Sequence, residues 1–229
     1  DGNFTAKSDS KSGMVVAAGF DGNVKAAGVS DKFKLTVTAK SGSGAVQAWG
    51  FTTTDIANGL SGKITVTAIS KSNEADAIGG SLSSSSTFRT AAANDFAVTA
   101  QTSSGTVATI AYGISGDAGS VDLAGVLAVT AKGKIGNAYG VYATSGALTG
   151  SISGAVAAVG NTATGISGSD ASDLTISGAV YAGTKGTAAG IAKALKNAIG
   201  AGKSAFGMSK NADQAVSLGA NSTLTLTDG

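Results

Sequence analysis

The sequence predicts an all-β protein, a parallel β-solenoid of about eight irregular coils that forms a single domain over residues 1–229. Two short motifs alternate along the chain, and each has the pattern of a β-strand. The segments between them are rich in Gly, Ser, Asp and Asn, which favour turns. Because two short strands cannot bury an apolar side alone, we expect equivalent strands to stack about 4.8 Å apart in parallel ladders.

The first motif reads Ala, any residue, Gly, and then usually an apolar residue. Clear copies are Ala111-Tyr112-Gly113-Ile114 and Ala138-Tyr139-Gly140-Val141. Copies through the middle of the chain begin roughly 22 to 34 residues apart, which is typical of stacked repeat units. The copies begin at Ala17, Ala26, Ala48, Ala77, Ala111, Ala138, Ala163, Ala188 and Ala205.

Two orientations of this first motif are open. Burying the larger side chains, such as Tyr112 with Ile114, gains about 25 cal/mol per Å² of apolar area and leaves a flat outer face of Ala and Gly. The inverse orientation displays an aromatic ladder that could stack on sugar rings. Its members would be Trp49, Tyr112, Tyr139 and Phe206. We favour the buried orientation, because contiguous exposed aromatic side chains reduce solubility.

The second motif alternates apolar and small polar residues, as in Leu35-Thr36-Val37-Thr38-Ala39. Period-two alternation rich in Val and Thr is typical of a half-buried strand, so we expect Leu35, Val37 and Ala39 to face the core. The copies lie at residues 35–39, 64–68, 96–100 and 127–131, with degenerate copies at 174–178 and 224–227.

Threonines of the second motif are expected to stack in outward columns and form a contact face. The residues concerned are Thr36, Thr38, Thr65, Thr67, Thr99 and Thr130. Regular Thr arrays on flat solenoid faces resemble those of ice-binding proteins. Thr is also an ordinary residue for the solvated face of a strand, so both interpretations remain open.

One segment departs from the strand pattern. Residues 188–199 place Ile191, Leu195 and Ile199 four apart, which predicts a short amphipathic helix followed by Gly200. The alternative is an ordinary coil with an Ala-rich loop. For the whole chain, the alternative to the solenoid is an antiparallel β-sandwich.

The composition excludes several kinds of chemistry. His and Cys are absent, so the chain has no Ser-His-Asp triad, no thiol nucleophile and no disulfide framework. With 13% charged residues and a net charge of +2, no nucleic-acid surface is expected. No apolar run approaches the roughly 20 residues of a membrane span. We predict no catalytic residue, no cofactor and no metal.

Two patterns could still carry chemistry. Residues 197–204 end in Gly-Lys-Ser like a phosphate-binding loop, but Asn197 stands where the leading Gly belongs. Two pairs of aspartates, Asp117 with Asp122 and Asp170 with Asp173, would suit a glycosidase only if they converged in one cleft. Otherwise aspartates in such loops cap turns.

The repeats resemble the passenger regions of bacterial autotransporters and related secreted β-helical adhesins. The resemblance rests on the two motifs, the richness in Gly, Ser, Thr and Ala, and the absence of Cys. Residues 214–222 are similar to head repeats of trimeric autotransporter adhesins. The first resemblance implies a right-handed parallel β-helix presented at, or released from, the outer membrane.

The function expected from these observations is that of a non-enzymatic extracellular stalk, adhesin or filament component at a bacterial cell surface. Expected partners are other copies of the chain, end to end or side by side, and host or matrix glycans, with no nucleic acid. The chain is expected to be a fragment or mature form of a longer secreted protein. The alternatives are an ice-binding or carbohydrate-binding solenoid and a polysaccharide-acting β-helix enzyme.

Overall fold

The computed structural model describes residues 2–20, 31–52, 56–83, 86–201, 207–208 and 214–227, with the backbone alone for residues 57, 58, 207, 208 and 214. Apart from one helix, the regular elements in these ranges are β-strands. The strands in chain order are β1 (Asn3–Ser10), β2 (Val15–Phe20), β3 (Lys34–Ser41), β4 (Val46–Phe51), β5 (Ile56–Leu60), β6 (Lys63–Ser70), β7 (Ala75–Leu82), β8 (Thr87–Thr90), β9 (Asp95–Thr102), β10 (Ala108–Gly116), β11 (Gly119–Leu123), β12 (Val126–Lys132), β13 (Ile135–Ala143), β14 (Leu148–Ile152), β15 (Ala155–Val159), β16 (Thr162–Gly168), β17 (Asp173–Ile176), β18 (Ala179–Gly183), β19 (Gly207–Met208), β20 (Gln214–Leu218) and β21 (Thr223–Leu226). The helix α1 (Ala188–Gly200) lies between β18 and β19.

The strands form three sheets that wind around one core as a β-solenoid. Sheet A has the order β1-β3-β6-β9-β12-β15-β18-β19, and sheet B has the order β2-β4-β7-β10-β13-β16-β20. Sheet C has the order β21-β17-β14-β11-β8-β5. Every described pairing is parallel, for example β6 with β9 and β10 with β13, which confirms the solenoid and rejects the antiparallel sandwich.

The solenoid differs from the prediction in its number of coils. Among the described residues, five consecutive coils, from β3 to β17, run through all three sheets without interruption. A further coil, formed by β18, β20 and β21, is interrupted by α1, and the first coil has β1 and β2. The predicted eight was too many, and each coil has three strands instead of two. Sheet C was not predicted because its strands have only four or five residues, and β17 and β21 have the pattern of the second motif.

Sheet A contains the second motif in the predicted orientation. In β3, Leu35, Val37 and Ala39 are buried, while Thr36 and Thr38 point outward and are half-buried. The degenerate copies at residues 174–178 and 224–227 were misassigned, because β17 and β21 belong to sheet C. The sheet A strands of those coils are instead β15 and β18, whose alternating Thr is replaced by Ala, Val and Tyr.

Sheet B contains the first motif, and the favoured orientation was wrong for its central residue. In β10, Ala111 and Gly113 are buried and Tyr112 faces outward. Ile114 is nevertheless buried, because the strand changes phase at Gly113, so the two large residues lie on opposite sides. Gly113 is required there, since a Cβ would lie 2.8 Å from Val129 Cγ2 across the core. The copy at Ala188 is not a strand and begins α1; residues 26–29 and 205–206 lie outside the described part.

Phenylalanines fill the core between the sheets in the N-terminal coils. Phe88 and Phe96 are fully buried with ring centroids 6.0 Å apart, and Phe51 packs against Phe88 at 6.2 Å. Phe20 stacks on Phe51 at 5.5 Å. These rings join adjacent coils, and aromatic pairs at such distances stabilise a core beyond their buried area.

A column of buried hydroxyls closes the corner between sheets A and B. Ser41, Ser70 and Thr102 are register partners at the ends of β3, β6 and β9. Each donates a hydrogen bond to a main-chain carbonyl of the preceding coil: Ser70 Oγ lies 2.9 Å from Gly44 O. Ser70 Oγ also accepts from the Asn73 amide at 2.9 Å. The column therefore fixes the register of one coil on the next.

Helix α1 confirms the predicted helix and lies on the outside of sheet A. Its buried residues Ala188 and Ala192 pack on Ala157 and Val159, and its Ile191 packs on the same apolar cluster. The Lys196 ammonium donates to the Ala92 carbonyl, in the turn before β9. The helix therefore covers the outer surface of β12, β15 and β18.

Candidate functional surfaces

The predicted threonines lie in register on the outer side of sheet A, and we call Thr36, Thr38, Thr65, Thr67, Thr99 and Thr130 the threonine face. Thr38 pairs with Thr67, Thr67 with Thr99, and Thr99 with Thr130. The second column begins with Thr36 and Thr65 and continues as Ala97 and Ala128. Neighbouring rungs are about 4.8 Å apart, and alternate residues of a strand about 6.6 Å.

Helix α1 limits the threonine face on one side. Val126 and Ala128 of β12 lie beneath the helix with Ala157 of β15. Beneath the helix, Ala128, Ala157, Val159 and Tyr181 stand where β3 and β6 carry threonine. The uncovered part therefore spans the outer side of β3, β6 and β9, with Thr130 at its border.

The hydroxyls of the threonine face point to solvent, with no hydrogen-bond partner among the described residues. Within the described residues, no hydrogen bond engages the side chains of Thr36, Thr38, Thr65 or Thr67. Each hydroxyl both donates and accepts, so the face presents a regular array of groups for water or a ligand. The threonine side chains are β-branched and adopt few χ1 rotamers, which keeps the array ordered.

Three tyrosines cluster on the outer side of sheet B. Tyr112 and Tyr139 are register partners whose rings stack with centroids 5.1 Å apart and planes 14° apart. Tyr142 contacts both rings, at 5.5 Å and 4.9 Å. We call these three residues the tyrosine cluster. Trp49 occupies the same column, but Ile78 separates it from Tyr112, and Phe206 lies outside the described residues.

Stacking limits what the tyrosine cluster can bind. The ring faces of Tyr112 and Tyr139 cover each other, whereas stacking on a sugar needs an open ring face. Burial raises the pKa of Tyr112, and the neighbouring Tyr139, Tyr142 and Asp76 raise it further. Burial likewise raises the pKa of Tyr139, with Tyr142 adding to it. Both phenols therefore remain neutral hydroxyls near neutral pH, available as donors at the surface.

Asp76 lies beside this cluster on β7. Partial burial raises the pKa of its carboxyl above the ordinary value, and the charge of Glu74 raises it further. A hydrogen bond with Gln47 lowers it in part. Among the described carboxyls, that of Asp76 is the one whose pKa is clearly raised.

The aspartates that could form a catalytic pair have separate structural partners. Asp122 forms an ion pair of 2.7 Å with Arg89 and accepts a hydrogen bond of 2.8 Å from Ser151 Oγ. Burial alone would raise the pKa of Asp122, but these hydrogen bonds and the guanidinium charge lower it overall. Asp117 accepts from Thr144 Oγ1 at 2.8 Å in a neighbouring turn.

Asp170 and Asp173 belong to a different coil from Asp117 and Asp122. Asp170 Oδ1 accepts from the Ala220 amide at 2.8 Å, and so holds the turn before β17 against the last coil. Asp173 begins β17 and is exposed. Asp117 and Asp170 thus lie in turns, whereas Asp122 and Asp173 lie on β11 and β17 of sheet C, and three of the four have hydrogen-bond or ion-pair partners. Across the described residues, no group of three or more acidic side chains is placed to hold a metal ion.

The corner between sheets A and B carries a surface cavity that the sequence patterns did not indicate. Its volume is about 430 Å³, and it lies against the ends of the first coils. Its lining includes Lys11, Lys40 and Lys71. These lysines are far apart in sequence, and the coil register brings them together: Lys11 and Lys71 follow the aligned Ser10 and Ser70, and Lys40 pairs with Asp9 and Ile69.

The phosphate-loop-like segment lies partly in helix α1. Residues 197–200 of the phosphate-loop-like segment form the last turn of α1, and residues 202–204 lie outside the described part. Helix α1, with 13 residues, is too short to span a membrane, and it is the one helix among the described residues.

Comparison with known proteins gave no matching family model, no matching curated protein and no matching solved structure.

Proposed function

We propose that this chain is a non-enzymatic extracellular β-solenoid that serves as a stalk or adhesin at a bacterial cell surface. The observation that carries the proposal is the unbroken parallel ladder of sheet A, whose seven rung steps span about 34 Å. Hydrogen bonds run along the axis of such a stack, so the coils form a stiff rod. The turns and outer faces then remain available for contacts.

The composition supports this proposal. Without Cys the chain can cross an oxidising compartment unfolded and form no wrong disulfides. The resemblance to autotransporter passenger regions points to the same location. The hydrogen bonds and the ion pair that engage Asp117, Asp122 and Asp170 favour a structural role for these carboxylates over polysaccharide cleavage.

The test is the location of the protein on intact cells of its source. Antibodies raised against the purified chain are expected to label intact cells, and added protease is expected to remove the signal without lysis. A strain lacking the gene provides the control. If the antigen is found only in the cytoplasmic fraction and intact cells stay unlabelled, the proposal is wrong.

Self-association is part of this proposal, because both ends of the described stack expose large apolar side chains. Phe4, Met14 and Val16 are exposed in the first coil, and Leu224 and Leu226 in β21. Unpaired strand edges at these ends can also accept another strand. Sedimentation velocity over a concentration series should show assemblies that grow with concentration, whereas a monomer at every concentration would contradict end-to-end or side-by-side association.

A second candidate is ice binding, favoured by the register of the threonine face and its unused hydroxyls. The expected result is thermal hysteresis that is lost in Thr67→Tyr, because a bulky ring disrupts the centre of the flat array. Thr184→Tyr, in an exposed turn outside the threonine face, is the control. Absence of hysteresis in the unmodified chain at high concentration would reject this candidate.

A further inference from the structure

We infer that the surface cavity at the corner of sheets A and B, which we call the corner cavity, binds an acidic polysaccharide through its carboxylate or sulfate groups. The cavity is lined by Lys11, Lys40 and Lys71 together with Asp9, Gly42 and Ile69. Its 430 Å³ is many times the roughly 30 Å³ that one water molecule occupies. The space therefore suits a sugar unit better than a single small anion.

The coil register fixes the three lysines in one place. Lys11 follows Ser10, Lys40 precedes Ser41, and Lys71 follows Ser70. Ser10 pairs with Ser41, and Ser41 with Ser70. The lysines thus come from three successive rungs and extend over about 10 Å along the solenoid axis. An extended acidic chain running along this corner would meet them in turn.

The lining offsets only part of the positive charge of the cavity, because Asp9 is the register partner of Lys40. In the part of the chain that the structure describes, no ion pair involves Lys11, Lys40 or Lys71. Asp9 is the one carboxylate in the lining, which leaves an excess of positive charge. Lysine is a strongly hydrated point charge on a flexible stem, so it can follow anionic groups of varied spacing.

The rest of the lining fits a sugar. The side chain of Ile69 is half-exposed on β6 and offers an apolar patch for a sugar ring. The threonine face begins two residues from Lys40, at Thr38, and supplies hydroxyls for sugar hydroxyls. Lys34 and Lys63 lie at the far end of the same strands, also as register partners. A polysaccharide can therefore meet hydroxyl and ammonium groups along its length.

The observations favour a polysaccharide over a nucleic acid. Nucleic-acid surfaces combine many phosphate contacts with aromatic or Arg side chains that stack on bases. The cavity lining has three lysines, with neither Arg nor an aromatic ring. The net charge of the whole chain is only +2. The choice of a glycan as occupant rests on the proposed extracellular role, whereas the anionic chemistry rests on the cavity alone.

The test measures binding of polygalacturonate oligosaccharides to the purified chain by titration calorimetry. The variant Lys11→Gln/Lys40→Gln/Lys71→Gln removes the three charges of the corner cavity. The matched control Lys134→Gln/Lys185→Gln/Lys193→Gln removes three exposed charges elsewhere. We expect the cavity variant to lose at least about tenfold in affinity, and the control to keep its affinity within about threefold. Raising salt from about 50 mM to about 200 mM should weaken binding by the unmodified chain.

Several results would overturn the inference. These are no binding of the acidic oligosaccharides, equal losses in the two triple variants, or equally tight binding of neutral dextran. Tighter binding of duplex DNA than of polygalacturonate would reassign the cavity to nucleic acid. Circular dichroism checks that each variant keeps the fold. Surface labelling of intact cells is measured independently, so a failed binding test and a failed location test are distinguishable.

Discussion

At the residue scale, the glycines of the first motif leave no room for a side chain. Gly50, Gly79, Gly113 and Gly140 lie one above another in sheet B, each facing a valine of sheet A. At Gly113, an added Cβ would lie 2.8 Å from Val129 Cγ2 and would also meet the Gly140 carbonyl. Close-packed interiors cannot absorb such an overlap without moving the backbone of both sheets.

We therefore expect Gly113→Ala to lower the free energy of unfolding by about 1–3 kcal/mol. The control is Gly200→Ala, since a Cβ at Gly200 would have no neighbour within 4 Å. Ala is also the better helix former by up to about 1 kcal/mol, so that change should leave stability equal or slightly higher. Urea unfolding followed by circular dichroism measures both. Equal stability of the two variants would contradict the packing described for Gly113.

Asp122 gives a residue-scale prediction that depends on pH. Its folded-state pKa is lowered from 3.8 by hydrogen bonds from Arg89 and Ser151. The contribution to stability is therefore present above pH 3.8 and is lost as the pH falls through the folded-state pKa. Because the ion pair is largely exposed, Asp122→Asn should cost only about 0.2–1 kcal/mol at neutral pH.

The measurement compares unfolding of the unmodified chain and Asp122→Asn at neutral pH and well below pH 3.8. The difference between them should shrink in acid, because both side chains are then uncharged. Asp173→Asn, an exposed carboxylate that begins β17, is the control and should show little difference at either pH. A difference that grows in acid would have the wrong sign for a lowered pKa.

At the element scale, α1 explains why the outer residues of sheet A change along the solenoid. The strands that it covers carry Ala128, Ala157 and Val159 at the outer positions where β3 and β6 carry threonine. Small side chains let the helix approach the sheet closely, and its own Ala188 and Ala192 match them. The helix thus divides sheet A into a covered apolar part and the open threonine face.

This packing predicts that Ala192→Glu detaches the helix, because a carboxylate at a buried, apolar contact has no partner. Hydrogen exchange should accelerate in residues 188–200, while β3, β6 and β9 keep their protection. Ala189→Glu, at the exposed neighbouring position, is the control and should be neutral, since an acidic residue suits the first turn of a helix. Unchanged protection in Ala192→Glu would show that the helix is not held by this contact.

At the scale of the whole molecule, each coil packs mainly on its neighbours, apart from α1, which lies over β12, β15 and β18, so local stability should depend on position along the axis. We expect the slowest amide exchange in β9, β12 and β13 of the central coils, and faster exchange in β1 and in β21, whose side chains are all exposed. Hydrogen exchange with mass spectrometry checks this order. Uniform exchange along the chain would indicate a single cooperative unit and contradict the graded stability.

The same whole-molecule view explains what brings the candidate surfaces together. Thr38 and Thr130 are far apart in sequence but share one column, as do Lys11 and Lys71 at their corner. Parallel stacking turns a sequence period into a spatial row with a step of about 4.8 Å. Coil register alone decides whether such a row is continuous, and register depends on buried contacts such as the hydroxyl column at the corner.

Local sequence patterns predicted the parallel β-solenoid, the inward Leu, Val and Ala of sheet A, its outward threonines and the position of α1. These follow from local alternation and spacing, which are visible without any partner strand. Packing set the third sheet, the outward position of Tyr112, the cover that α1 places on sheet A, and the grouping of the lysines at the corner cavity. Each of these depends on contacts across the core or between coils, as with the change of strand phase at Gly113, the strands of only four or five residues in sheet C, and the neighbours one coil away. Local residue preferences are too weak to specify any of them.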